Sequence, residues 1–183
     1  RGFFLGVSPR AVCRLYELME HGIKNDDMEF EVSMYMIELY MSDLTDLLDF
    51  NPDAEPKKLR PKKDPNNGII HIDGAKEVDV TSKEEVMALF DKGMTARHTA
   101  STKMNSESSR SHLICSIIIK GFNKTTKVHT TGKLTLVDLA GSERSGKTGA
   151  TGQTLKEGTA INKSLSALGN VINALAHGSK HVP

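Results

Sequence analysis

Helices and strands alternate along this chain of 183 residues, which predicts an α/β fold, a sheet flanked by helices. Three observations carry that prediction. Apolar residues recur at helical spacing in 10–21, at Val12, Leu15, Tyr16 and Met19. Residues 29–40 alternate instead, with Phe30, Val32, Met34 and Met36 on one side, as a strand requires. Residues 113–119 are continuously apolar and short, the pattern of a central strand. The length predicts about one domain, and no repeat or composition break divides it.

The remaining elements follow in order. Residues 43–49 read as a short helix. Residues 51–67 are rich in Pro and Lys, with turn signals at Asn51-Pro52 and Asn67-Gly68, and read as an exposed loop holding one short strand. Residues 69–72 and 76–80 read as short strands. Ser82-Lys83-Glu84-Glu85 fits a capping box, and Val86, Leu89, Phe90 and Met94 follow on one face of a helix that ends near Arg97. Residues 99–110 are small, polar and aperiodic, hence a loop. Residues 134–137 are a strand, and the glycine-rich 140–152 is a loop. Thr154-Leu155-Lys156-Glu157 is a second capping box. It opens a long helix with an apolar stripe at Leu155, Ile161, Leu165, Leu168, Ile172 and Leu175, and Gly178 is its natural C-terminal stop.

Composition excludes several classes. The chain is 38% hydrophobic and 26% charged, as expected of a soluble globular domain. No apolar run approaches the roughly 18 residues of a membrane span. Phe3-Phe4-Leu5 is too short for a signal peptide. Arg1-Gly2 without an initiator Met reads as a piece of a longer chain. Two cysteines, Cys13 and Cys115, cannot frame a disulfide scaffold, and Cys115 in its apolar run reads as a buried free thiol. A net charge of +1 argues against a general nucleic-acid binder. The distribution is uneven: residues 139–183 carry +3 and the rest −2. A basic end fits an acidic partner surface, although an ordinary solvated face has the same composition.

One motif misleads. Residues 141–148, Gly-Ser-Glu-Arg-Ser-Gly-Lys-Thr, satisfy the phosphate-loop pattern G-x-x-x-x-G-K-[ST] after a strand. Taken literally, they describe a P-loop kinase or GTPase. A phosphate loop delivers its Lys and Thr on the first turn of a helix, yet Thr148 precedes Gly149-Ala150-Thr151-Gly152, poor helix material. Glu143 would put a carboxylate inside a cradle for polyanions. The strand also runs directly into Asp138, and an apolar strand ending in Asp is the Mg²⁺-positioning half of a nucleotide site. We therefore reject the literal reading.

Asp138 ends its strand where open α/β sheets bind ligands. Gly141, three residues on, offers a bare backbone amide to a γ-phosphate. Upstream, residues 105–112 read Asn-Ser-Glu-Ser-Ser-Arg-Ser-His. Hydroxyls there can ligate Mg²⁺ or hold a water, and Arg110 can pair with an acid. Alone, a Ser-rich run is a common loop, and Asp138 a plain strand-end residue.

Together the two segments resemble the kinesin motors. Asn105, Ser108, Ser109, Arg110, Ser111 and His112 match the family's switch I form N-x-x-S-S-R-S-H. Residues 138–143 match its switch II form D-L-A-G-S-E, and 161–170 are similar to its switch II helix. His181-Val182-Pro183 looks like the start of its next microtubule-facing loop. The resemblance runs from about Gly6 to Pro183. It implies part of a P-loop NTPase motor core, with a central, mostly parallel sheet flanked by helices. Residues 1–183 would be a single piece with both switches and the switch II helix, but without the P-loop, the final helices and the neck.

The same resemblance implies cofactors and roles. ATP and Mg²⁺ would be bound, with Asn105 in the nucleotide-binding set. Ser109 would ligate Mg²⁺, Ser108 would help position the lytic water, Asp138 would hold Mg²⁺ through water, and Gly141 would donate to the γ-phosphate. Arg110 and Glu143 would form the salt bridge that closes the switches, a pairing whose fork geometry Lys would serve poorly. Arg144 and Lys147, with Lys156 and Lys163 seven apart on one helix face, would meet the acidic tubulin surface. The whole would be a microtubule-stimulated ATPase of the cytoplasmic cytoskeleton. A kinesin-like module that grips microtubules without turnover is the alternative. Residues 32–40 and Gly132-Lys133-Leu134 look most like the minus-end-directed, calmodulin-binding kinesin-14 subgroup, whose calmodulin contact would lie outside these residues. Gly158 departs from the family, many of whose members carry Ala there. It costs the helix roughly 1 kcal/mol.

Overall fold

The computed structural model describes residues 6–103, 108–141 and 152–183, with side chains at all of these except 101–103, 108, 153 and 154. Strand β1 (Met28–Tyr40) is the axis of the sheet. Its alternation sends Val32, Met34 and Met36 to one face and Tyr35 and Ile37 to the other, and both faces are buried. Strand β6 (Ser111–Asn123) pairs along all of β1, from Met28↔Asn123 to Tyr40↔Ser111. Strand β7 (His129–Asp138) follows by a hairpin. On the other edge of β1, β2 (Asp43–Asp46) and β5 (Val78–Val80) pair with different stretches. The order is β2-β1-β6-β7.

Sheet and flanking helices are as the sequence predicts, but the strand sense is not. A mostly parallel sheet is expected, and every pairing among the described strands is antiparallel. The connections explain this. Met41-Ser42 joins β1 to β2, and 124–128 joins β6 to β7; links that short can only reverse the chain. One crossover remains. Strands β5 and β6 lie on opposite edges of β1, both antiparallel to it, and helix α2 (Lys83–Lys103) carries the chain between them.

Helices α1 (Val7–Asn25) and α2 pack on one face, where Val12, Met19 and Val86 meet Met34, Met36, Cys115 and Ile117. The opposite face buries Tyr35, Ile37 and Ile118 against Leu59 and Ile72. These last two flank and belong to the ribbon of β3 (Arg60–Lys63) and β4 (Ile70–Asp73). Gly93 lets α2 approach β1 closely, since a Cβ there would overlap the fully buried Met36 side chain. Cys115 is buried as expected, and burial pushes its thiol up to about 11.

Other expectations are corrected. Residues 43–46 form β2 rather than a helix. The Asp46 carboxylate explains why the strand stops: Oδ1 accepts from the amides of Leu48 and Asp49, and Oδ2 from that of Lys76. Helix α2 does not end near Arg97 but continues to Lys103. Its threonines are compatible with helix because Thr95 and Thr99 donate to the carbonyls of Asp91 and Thr95. Its inner face runs through Val86, Gly93, Arg97 and Ala100, and Met94 points outward. At its start, Ser82 Oγ accepts from the Glu85 amide, and the Glu85 carboxylate reaches back to the amide of Thr81 at 2.7 Å.

Helix α3 (Gln153–Ala176) begins without the expected capping box. Gly152 is the N-cap at φ 62°, with no side-chain cap. Its end is as expected: Gly178 at φ +60° lets Ser179 N–H reach Ala174 O at 2.9 Å and its own N–H reach Leu175 O at 3.2 Å. Of the apolar stripe, Ile161 is buried, whereas Leu155, Leu168, Ile172 and Leu175 are exposed.

Candidate functional site

The site lies where β1 and β7 end and β6 begins. Register places Glu38, Leu113 and Asp138 in one row across the three strands, on the face that α2 covers. Arg97 projects onto this row from the inner face of α2. Its Nε donates to Glu38 Oε1 at 3.3 Å, and its Nη1 to Asp138 Oδ2 at 3.1 Å. Nη2 donates to the carbonyl and hydroxyl oxygens of Ser111 at 3.0 and 3.2 Å. The Ser111 hydroxyl in turn donates to Glu38. Arg97 and Glu38 each leave 5% of the side chain exposed, while Asp138 leaves 68%. The guanidinium therefore joins an inner carboxylate to an outer one. Such a pair fixes geometry more than it adds stability, because desolvation offsets much of its attraction.

A second ion pair sits at the neighbouring corner. The turn Ser108–Arg110 leads into β6. Arg110 Nη1 contacts Glu157 Oε2, on α3, at 2.7 Å. Tyr40, at the end of β1, donates its hydroxyl to Glu157 Oε1, also at 2.7 Å. Glu157 is 4% exposed. The second capping box fails because Gly152, two residues before Thr154, is the N-cap; the Glu157 carboxylate, beyond the N3 position, is turned inward.

The two sequence segments touch directly. Gly141 N–H donates to Ser109 C=O at 2.8 Å, and Ala140 N–H donates to His112 Nδ1 at 2.9 Å. The other ring nitrogen of His112, Nε2, lies 2.7 Å from Ser164 Oγ on α3. Ser164 already donates to Ile161 C=O, so its oxygen accepts from Nε2–H. The imidazole is thus neutral, with its proton on Nε2. Burial, followed by the nearby Arg97 charge, pushes the His112 pKa down, against an opposing pull from Asp138.

Of the expected site residues, the structure bonds Gly141 to Ser109 and holds Asp138 and Arg110 in the two ion pairs described above. Asn105, Glu143, Arg144 and Lys147 lie outside the described residues, as does the side chain of Ser108. The expected Arg110–Glu143 pair falls there too; among the described residues Arg110 pairs with Glu157. Lys156 and Lys163 are both exposed on α3. His177, four residues from His181, sits against its own helix end, 2.8 Å from Asn173 C=O. Hard oxygen donors suit Mg²⁺, and the outward carboxylate of Asp138, three residues before the Gly141 that bonds the exposed Ser109, is such a donor. The Gly141 amide is spent on Ser109 in this conformation, which differs from its expected availability to phosphate.

Arg97, Glu38, Tyr40 and Glu157 were not anticipated as site residues. A signal for two of them exists. Glu38 continues the strand face of Val32, Met34 and Met36, and Arg97 continues the helix face of Val86 and Gly93. One lone charge ending each of two apolar faces is the mark of a buried pair.

Sheet, crossover helix and converged loops define the class: an α/β protein whose polar strand ends are closed by two distant parts of the chain. The model of the kinesin motor domain matches residues 4–183. A kinesin-like protein of Oryza sativa subsp. japonica, KIN-14I, is 46% identical over 97% of this chain and 14% of its own length. The human kinesin heavy chain isoform 5C is 45% identical over 98% of this chain and 18% of its own. A solved fast kinesin superposes with a TM-score of 0.79 at 45% identity, covering 97% of this chain and 49% of that one. The Kar3Vik1 motor and motor homology domain gives 0.80 at 34% identity, covering 97% and 45%. The chain belongs to the kinesin motor domain family. It spans about half of the solved motor structures, at 49% and 45%, and under a fifth of these two curated relatives, at 14% and 18%.

Proposed function

We propose that residues 1–183 are the part of an ATP-driven microtubule motor core that senses nucleotide and carries part of the filament-binding surface. The observation that supports this most is the closure of the two loops on each other, through Gly141 N–H and Ser109 C=O at 2.8 Å, beside the outward carboxylate of Asp138. Mg²⁺ would neutralise charge on the phosphates. The Ser109 hydroxyl and Asp138, the latter through water, would hold the ion, and Arg97 orients Asp138 from behind. Ser108, with Asn105 close by in the segment, would place the attacking water. Arg110 and Glu143 would close the loops, and Gly141 would exchange its bond to Ser109 for one to the terminal phosphate.

Arg144, Lys147, Lys156 and Lys163 would face acidic tubulin. The setting is the cytoplasmic microtubule cytoskeleton, and the subgroup resemblance extends the reading to minus-end-directed movement and calmodulin regulation outside these residues. The test is ATP turnover by the full-length protein with and without microtubules, beside the Lys147→Ala variant. Microtubules should stimulate turnover. Lys147→Ala should weaken filament binding and make its salt dependence shallower, because exposed charges are screened, while filament-free nucleotide affinity holds. Collapse of nucleotide affinity instead would restore the phosphate-loop reading of 141–148. Filament binding with no turnover at all would leave a non-hydrolysing module.

A further inference from the structure

Glu157 is a carboxylate that neither the motifs nor the helix explains. An acidic side chain near a helix start is ordinarily solvated, where it stabilises the helix dipole at little cost. This one is 4% exposed, and burying a charge costs several kcal/mol unless partners compensate. The partners come from two other elements, Tyr40 at the end of β1 and Arg110 beside the first residue of β6, each at 2.7 Å. Tyr40 and Ser111 are register partners, so Tyr40 and Arg110 are held at one fixed corner of the sheet. Next to Glu157, Lys156 is exposed. The same helical turn therefore offers a cation outward and a carboxylate inward. Two turns on, the His112–Ser164 bond at 2.7 Å and buried Ile161 form the second seat of α3 on the same corner.

We propose that Glu157, held by Tyr40, is a positioning residue for Arg110 and transmits the seat of α3 to the catalytic loop. The inference rests on the motor reading above. A filament that engages the outer face of α3 displaces the turn that carries Glu157, and Arg110 follows because its ion pair is bonded to that turn. Tyr40 supplies the fixed point against which the displacement is registered. The Tyr40–Glu157 bond thus decides how much of the movement reaches Arg110.

The test uses the full-length motor and its Glu157→Gln and Tyr40→Phe variants. Microtubule-stimulated ATP turnover gives kcat and the filament KM; Mg-ADP affinity and thermal melting are read separately. Glu157→Gln should lower stimulated kcat about tenfold, with KM, Mg-ADP affinity and melting temperature nearly unchanged, the pattern of an interaction lost in the chemical step. Tyr40→Phe, which removes one hydroxyl and keeps the ring, should lower the same kcat by less. The double variant should be no slower than Glu157→Gln alone, because both act through one carboxylate. Unchanged kcat in both single variants overturns the proposal. So does a parallel loss of kcat, nucleotide affinity and melting temperature in Tyr40→Phe, which would mark a merely structural bond. Absence of filament stimulation in the unsubstituted protein removes the motor reading itself, and this inference with it.

Discussion

His112 holds three parts of the site with one ring. Its Nδ1 accepts the Ala140 amide and its Nε2–H serves Ser164, so a second ring proton would face an N–H. The folded state therefore binds that proton less readily than the unfolded chain, and the pKa falls below its ordinary value near 6.5. The sign follows from linkage. The stabilisation is fully present above about pH 6.5 and is lost as the pH falls below that value toward the depressed folded pKa. The melting temperature should drop on acidification across that window. In His112→Gln, whose amide can still donate to Ser164, the drop should be shallower. Equal slopes for the two proteins would refute the account. Arg97 and Glu38 show what was legible at this scale and what was not. Each is visible as a charge on an apolar face, but only the register Glu38↔Leu113↔Asp138 reveals that one guanidinium reaches two carboxylates. Residue order alone does not contain that distance.

The elements were legible where local chemistry decides them. The 2-residue alternation of β1 and the Gly178 stop of α3 both stand as read, since each depends on neighbours in sequence. The misread elements are those where a distant partner wins. The second capping box fails because α3 starts at Gln153, ahead of Thr154, and Tyr40 and Arg110 take the Glu157 carboxylate. Residues 43–46 form a strand because β1 offers an edge for pairing from Tyr40↔Asp43 to Ile37↔Asp46. Helix α2 outlasts its expected end because Arg97 and Ala100 are both buried against the sheet. The contact of α2 with β1 gives an element-scale prediction. Gly93→Ala should destabilise the protein by about 1–3 kcal/mol, as overpacking does, despite the helix preference for Ala. Combining it with Met36→Ala, which removes the overlapping side chain, should give less than the sum of the two losses in denaturant unfolding. Additive losses would show that the two side chains do not meet.

At the scale of the whole molecule, two hairpins and one crossover place the end of β1, the start of β6 and the end of β7 at a common corner. The loops that close there are 29 residues apart along the chain between Ser109 and Asp138, yet only neighbouring strands separate them. Strand β7 is the last in the order β2-β1-β6-β7. Among the described residues its outer edge pairs with nothing, and Val137 and Leu139 are exposed at 52% and 46%. An unpaired strand edge with apolar side chains is a template for other chains. The 183-residue chain produced alone should refold with a yield that falls steeply with protein concentration, and light scattering should rise before any loss of helical signal. An arginine-rich or mildly chaotropic refolding buffer should recover monomer. A concentration-independent yield would mean that this edge does not act as a template for other chains.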